Sequence, residues 1–206
     1  VLTGAGSGFG LECARIAARL GMKLVLVDVQ KAVLDAAAEE MRAAGVEVLA
    51  QQVDVSKRLQ MEVLAHSVQE RFGAPHLVFS NAGVGGGSGP FEQYDTDVWR
   101  WNYAVNAHAH LYACRTFLGD MKASGEASHL IFTSSMVAIV PPPISVAYIS
   151  SKYATLGIAM ALDFIALPAL AWLVAVLFFR NDPGLYVGMI LAGLFPILIG
   201  SGTGSE

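Results

Sequence analysis

Every second residue is glycine in the turn Gly4-Ala5-Gly6-Ser7-Gly8-Phe9-Gly10, close to the start of this 206-residue chain. The turn follows a short apolar run ending in Thr3 and opens a segment with helical apolar spacing. A strand that passes into a helix this way presents backbone N–H groups at the helix N-terminus, where the macrodipole favours an anion. Glycine lets the turn close tightly and lets backbone approach a phosphate with no Cβ between them. An ordinary strand-to-helix junction has no need of so many glycines, so nucleotide binding is the expectation.

The elements that follow fit the same picture. Lys23–Asp28, Val46–Val53, His76–Ser80 and His129–Thr133 are short apolar runs suited to buried strands. Helical stripes lie between them. Leu11, Ala14, Ala18 and Gly21 make the first; Val33, Leu34, Ala37, Met41 and Ala44 the second; Leu59, Val63, Leu64, Val68 and Phe72 the third. A long helix is expected from about Asp97 to Ala123. Strands alternating with helices predict an α/β fold: a Rossmann-like doubly wound parallel sheet with helices on both faces and right-handed crossovers. Only two apolar residues precede the glycine turn, which suggests a chain beginning inside its first strand. The Gly85-Gly86-Gly87-Ser88-Gly89-Pro90 stretch reads as a flexible loop within the domain.

Composition narrows the partners. A formal charge of −4, with no run of lysine or arginine, argues against a nucleic-acid surface. Cys13 and Cys114 follow no metal or disulfide spacing and read as small core residues, compatible with a reducing, cytoplasmic setting. His108 and His110 stand two apart, so on a helix they face different directions and make no ligand pair. No metal site is expected. Trp99 and Trp101 read as packing or dimer-interface residues.

Three further residues carry chemistry. Asp28 ends the second strand, where a carboxylate can accept hydrogen bonds from both ribose hydroxyls of adenosine and would repel a 2′-phosphate. Val29 and Gln30 offer no arginine, although Lys31 is close, so NAD is favoured over NADP. Asp28 could also cap the helix that follows. Tyr148 and Lys152 lie four apart on a helix, hence on one face, one turn from each other. An ammonium held beside a phenol favours the phenolate, which lets a group titrating near ~10 in water act as acid or base closer to neutrality.

Over about residues 1–161 these features resemble the short-chain dehydrogenase/reductase family. Its glycine motif is matched by Thr3, Gly4, Gly8 and Gly10, with Phe9 inside it; its adenine-contacting acid after the third strand by Asp54, followed by Val55. The Asn-Ala-Gly after the fourth strand is matched by Asn81, Ala82 and Gly83, and the asparagine of the long central helix by Asn106. The serine at the end of the fifth strand is matched by Ser135; Ser134 is adjacent, but the spacing to Tyr148 selects Ser135. The resemblance implies hydride transfer between nicotinamide and a secondary alcohol or ketone, with Tyr148 as general acid/base. It implies that Lys152 favours the ionised phenol and holds the nicotinamide ribose, and that Ser135 orients the substrate oxygen. It gives Asn106 the task of anchoring a water or helix backbone on the proton path toward Lys152. A homo-oligomer paired through the long central helix and the catalytic helix is also implied. Read singly, Ser135 could cap a turn and Asn106 could be a buried, satisfied amide.

The likeness stops after the catalytic helix. The family's sixth strand, Pro-Gly turn, substrate-covering loop and seventh strand are not recognisable, so the dehydrogenase domain is expected to be truncated, at about 1–163. Residues 164–206 carry two apolar runs, Phe164–Phe179 and Leu185–Ile199, separated by Arg180-Asn181-Asp182-Pro183-Gly184. A bilayer core needs roughly 20 helical residues, so both runs are short for a span, and together they resemble a membrane hairpin with a charged turn. They could instead be buried strands and a helix that complete the sheet; Pro168 and Pro196 weaken long-helix readings. The second run faintly resembles helices of sodium-coupled organic-anion and arsenite carriers. The expectation is an NAD-dependent alcohol dehydrogenase or ketoreductase acting on a small molecule, with membrane association through 164–200. Its rivals are a nucleotide-binding but inactive membrane-tethered module and a fused fragment of a membrane carrier.

Overall fold

The strand sequences are apolar on both sides, and the sheet they build is covered on both faces. In the computed structural model, which describes residues 1–87, 89, 91–142, 145–166 and 194–199, six strands and six α-helices succeed one another. They are β1 (Leu2–Thr3), α1 (Gly8–Arg19), β2 (Leu24–Asp28), α2 (Lys31–Ala43), β3 (Val48–Gln52), α3 (Arg58–Phe72) and β4 (Leu77–Ser80). Then come α4 (Thr96–Tyr103), α5 (Ala109–Ala123), β5 (Ser128–Thr133), α6 (Val146–Ala166) and β6 (Leu194–Ile199). The strand order is β3-β2-β1-β4-β5-β6; the first five run parallel and β6 pairs antiparallel with β5.

β2 shows why both faces are dry. All five of its residues are buried. Leu24 and Leu26 join Leu34, Ala37 and Met41 of α2 and Ala14 and Ala17 of α1 in one core. Val25 and Val27 join Met61, Leu64 and Val68 of α3 and Phe117 and Met121 of α5 in the other. The period of two sends alternate residues to opposite cores, so a parallel central strand has no polar face to offer.

Two expectations need correction. In α3 the buried stripe is Met61, Leu64 and Val68, whereas Leu59 and Val63 are 65% and 59% exposed. Leu64 and Val68 belong to two possible apolar stripes; sheet contact selected the one through Met61, and Leu59 and Val63 turned outward. The long central helix is also not uniform. Between α4 and α5, Ala104–His108 forms one wider π-helical turn, with Val105, Asn106 and Ala107 buried. Such a turn adds a residue to the i→i−4 ladder and commonly marks a functional position.

At the C-terminal edge, Leu194–Ile199 runs beside β5 with Pro196 in register with Ile131. Among the described strands β6 is outermost, and a proline is tolerated in such a strand. Most of the expected membrane hairpin lies outside the described residues. Among the described residues, no helix is long and apolar enough to cross a membrane.

Leu26 is fully buried in the sheet centre, while Ile16 on α1 is 49% exposed. Leu26→Ala is expected to lower unfolding free energy by about 3 kcal/mol through lost burial and a residual cavity. Ile16→Ala should shift it by less than about 0.5 kcal/mol, both read from urea denaturation midpoints.

Candidate functional site

β1 and β4 are neighbours in the sheet but are followed by helices on opposite faces, so a crevice opens at their carboxyl ends. Thr3 and Asn81 tie its two walls together. Thr3 Oγ1 accepts hydrogen bonds from the N–H groups of Asn81 and Ala82, at 2.8 and 3.0 Å. Asn81 Nδ2 donates to the Thr3 carbonyl at 3.1 Å, and Thr133 Oγ1 donates to Asn81 Oδ1 at 2.8 Å. Three strand ends are thereby held in one polar lattice.

The glycine turn fits against this lattice. Gly4 has φ +65°, and a Cβ there would lie 3.0 Å from the Ala82 Cα. A Cβ on Gly10 would lie 2.1 Å from the Gly4 carbonyl oxygen, so only glycine allows α1 to start so close to β1. Among the described residues no side chain caps α1: the Ser7 hydroxyl takes no part, and the first helical bond runs from Leu11 N–H to the Ser7 carbonyl. The N–H groups of Gly8, Phe9 and Gly10 therefore have no partner within the helix, which is a built anion cradle.

A cleft of about 700 Å³ starts at this cradle. Gly4, Ser7, Gly8 and the exposed Phe9 line it on one side, and Asn81, Ala82 and Gly83 on another. At one end lie Asp28, Asp54 and Val55; at the other lie Tyr148 and Lys152. Asp28 is nearly buried, and its two carboxylate oxygens accept from Gly6 N–H at 3.0 Å and Gln30 N–H at 2.9 Å. Asp54 Oδ1 accepts from the backbone and hydroxyl of Ser56. Thr3 and Gly10 do not line the cleft; they shape the turn behind it.

Asn106 governs the other end. Sitting in the π-helical turn and fully buried, it accepts from Val84 N–H and donates to the Val84 carbonyl, each at 2.8 Å. Its Nδ2 also donates to Ser151 Oγ at 2.9 Å, and its main-chain carbonyl accepts the Thr155 hydroxyl. One amide thus locks the loop after β4 to α6. Lys152, 3% exposed, donates to the Thr133 carbonyl at 2.8 Å and lies 5.8 Å from the Tyr148 ring centroid. Burial pushes its ammonium down to about 8. A Cβ on Gly83 would come within 3.3 Å of both Lys152 Nζ and Asn106 Oδ1, so this backbone packs directly on the pair.

The two serines after β5 diverge. Ser134 is buried and donates to the Lys152 carbonyl at 3.0 Å. Ser135 is half-buried, caps the short turn Met136–Ala138 by accepting from Val137 N–H at 3.3 Å, and is not among the residues lining the cleft. Tyr148 and Lys152 share the cleft, then, while Ser135 stands outside its lining. Among the described residues no cluster of three or more metal-ligating side chains occurs.

Several lining residues were not singled out from sequence. Ser56 and Lys57 follow Asp54-Val55 on the loop after β3, where the rule that ligands sit at carboxyl ends of strands could have found them. Trp101 also lines the cleft, 49% exposed, rather than serving only as packing. Trp99 does pack, stacking on Tyr103 at 5.8 Å. His110 is wholly buried: its Nδ1 pairs with Ser80 Oγ at 2.8 Å, and its Nε2 has no partner among the described residues. Burial, and secondarily the charge of Lys152, push it down to about 3.

A Rossmann-like sheet with a glycine turn at its switch point defines the broad class of this protein. Within that class the chain belongs to the short-chain dehydrogenase/reductase family: the family model for short chain dehydrogenase matches residues 1–168. The 1-deoxy-11-beta-hydroxypentalenate dehydrogenase of Streptomyces arenae is 37% identical over 163 residues, 79% of this chain and 58% of that protein. A short-chain dehydrogenase/reductase from Burkholderia phymatum, solved in complex with NAD, superposes with TM-score 0.78 at 38% identity, covering 82% of this chain and 59% of that one. An alcohol dehydrogenase from Thermococcus sibiricus, solved with 5-hydroxy-NADP, gives 0.74 at 30% identity, covering 79% and 68%. The chain therefore spans less than two thirds of the length of the relative from Streptomyces arenae.

His110 provides a pH test. Folded, it stays neutral down to about 3; unfolded, it takes a proton near the ordinary 6.5. Between those values the unfolded chain binds more protons, so His110 makes stability fall as pH drops from 6.5 toward 3. His110→Leu should flatten this part of the acid limb, seen as a smaller loss of urea midpoint between pH 7 and pH 4 than in the parent chain.

Proposed function

We propose that this chain is an NAD-linked oxidoreductase interconverting a secondary alcohol and its ketone, with Tyr148 carrying the proton. The observation that carries the reading is that Tyr148 and Lys152 line the same cleft as the uncapped N-terminus of α1. The cradle, the acid at Asp28 and a cleft within the roughly 300–1,000 Å³ typical of ligand sites fit a dinucleotide. The N–H groups of Gly8, Phe9 and Gly10 would hold its pyrophosphate, with Thr3 and Gly4 shaping the turn. Asp28 would accept the adenosine ribose hydroxyls, Asp54 and Val55 would contact adenine, and Asn81, Ala82, Gly83, Tyr148 and Lys152 would hold the nicotinamide ribose half. Asp28, with the uncharged neighbours Val29 and Gln30 in the lining, favours NAD over NADP.

When bound, the nicotinamide supplies the two-electron acceptor, so that alcohol and NAD⁺ become ketone, NADH and a proton. Tyr148 Oη would receive that proton from the substrate hydroxyl. Lys152 gives one N–H to Thr133, which leaves two to face the phenol and the ribose. Asn106 would keep this geometry by fixing Val84 and Ser151 at once. Ser135 would orient the substrate oxygen, once its hydroxyl leaves Val137 N–H. A homo-oligomer built on α4, α5 and α6, with small molecules as the other partners, belongs to the same reading by family analogy.

A second reading, nucleotide binding without turnover, is favoured by the position of Ser135 outside the cleft lining. Two measurements separate them. NADH fluorescence titration should saturate, with weaker binding of NADPH. Tyr148→Phe should lower NAD⁺-dependent alcohol oxidation by at least about 100-fold, because it removes proton transfer, while NADH still binds saturably. Saturable binding by a parent chain that turns over no alcohol would favour the second reading.

A further inference from the structure

The cleft that Tyr148 lines also has an aromatic lining residue that the chemistry above does not use. Trp101 lines the cleft and is 49% exposed. Its neighbour Trp99 spends its ring on Phe91, Tyr94 and Tyr103, whereas Trp101 enters no ring pair among the described residues. The floor between the indole and the phenol is made of glycine: a methyl at Gly85 would lie 4.0 Å from Tyr148 Cδ2, and one at Gly86 would lie 3.4 Å from Trp101 Cζ3. This floor is pinned, because the Gly86 carbonyl accepts from Tyr94 Oη at 2.9 Å and from Ser145 Oγ at 3.2 Å.

Charge is distributed the other way. Among the described residues lining the cleft, Asp28, Asp54 and Lys57 belong to the carboxyl ends of β2 and β3, and Lys152 is nearly buried on Thr133. No charged side chain lines the cleft from the segments that carry Gly85 and Trp101; Val84 and Val105 do. An ionic substrate would find no counter-ion there, while a flat apolar one would gain an aromatic face.

We infer that Trp101, seated on Gly86 and facing the cleft beside Gly85, is the specificity-determining residue for the ring system of a neutral cyclic or aromatic secondary alcohol. The inference rests on reading the cleft as an alcohol–ketone site. Oxidation of 1-indanol there moves its carbinol hydrogen, with the bonding pair, to NAD⁺ and its hydroxyl proton to Tyr148, leaving 1-indanone.

The test is calorimetric binding of 1-indanone and of 2-butanone to the NADH-loaded full chain, alongside turnover of 1-indanol and 2-butanol. The expected result is 1-indanone bound more tightly than 2-butanone. Trp101→Ala should weaken 1-indanone by roughly tenfold, as removal of an aromatic contact face implies, with 2-butanone and NADH affinities unchanged. Trp101→Phe should stay within about threefold of the parent, because a ring remains. Trp101→Leu, apolar but not flat, decides the matter if the alanine chain does not fold, and should weaken 1-indanone as alanine does. Equal loss for both ketones, no loss in Trp101→Ala or Trp101→Leu, or no 1-indanone binding overturns the inference. Binding with the predicted dependence but no turnover of either alcohol leaves the seat standing and defeats the oxidoreductase reading. Turnover of both alcohols with no dependence on residue 101 does the reverse.

Discussion

The hydrogen-bond lattice of Thr3, Asn81 and Thr133 is the constraint on which the rest of the molecule depends. It lies where β1 and β4, held together as sheet neighbours, send their chains to opposite faces. A crevice at such a point exposes strand-end backbone groups that the sheet no longer pairs, and each left unsatisfied when buried would cost about 1–3 kcal/mol. One hydroxyl and one amide satisfy several of them at once. The glycine turn then rests on this fixed edge, because Gly4 touches Ala82 and Gly10 touches Gly4. Turn, helix start and loop after β4 inherit their positions from β1.

Asn106 extends the same logic to the other end of the cleft. The π-helical turn interrupts the regular ladder between α4 and α5, and the side chain there grips both polar groups of Val84. The Asn106 main-chain carbonyl accepts from the Thr155 hydroxyl, so the π-helical turn is tied to α6 by its backbone as well. Lys152 is less well served. Its ammonium is 3% exposed and has Thr133 as its hydrogen-bond partner, which is why it sheds its proton more readily than a surface lysine. A ligand offering oxygen acceptors would relieve a cost the folded chain already bears.

Much of this was legible in the amino-acid sequence. β2 could be placed because apolar runs bounded by turns admit few other readings, and the glycine turn because alternate glycines have few other uses. The Tyr148–Lys152 pair could be placed because helical spacing puts both on one face. The rest depended on context that spacing does not encode. Leu59 and Val63 are as apolar as Met61 and Val68, and only contact with the sheet decides which pair faces in. The π-helical turn adds a residue to a helix with no glycine or proline to announce it. Ser134 and Ser135 are the same residue type one position apart, and backbone alternation at the end of β5 sends the first toward α6 and leaves the second at the turn. That Trp101 lines the cleft could not be read from its place on a helix, where a tryptophan is usually packing. The apolar runs after Asp163 meet the described structure again only at β6, so the hairpin read there stands as an expectation from the sequence.

Asp28 gives the fold an unusual economy. Its two oxygens brace the glycine turn through Gly6 and the entry to α2 through Gln30, and the same carboxylate forms part of the cleft wall. A residue with one job can drift when the job changes; this one is bound to two. Descendants of this chain that exchanged the acid for a smaller or basic side chain would lose both contacts at once. They would have to find new acceptors for two backbone N–H groups in the same step. The cleft wall and the shape of the turn are in this way heritable together, and a history of change at position 28 should be written in positions 6 and 30 as well.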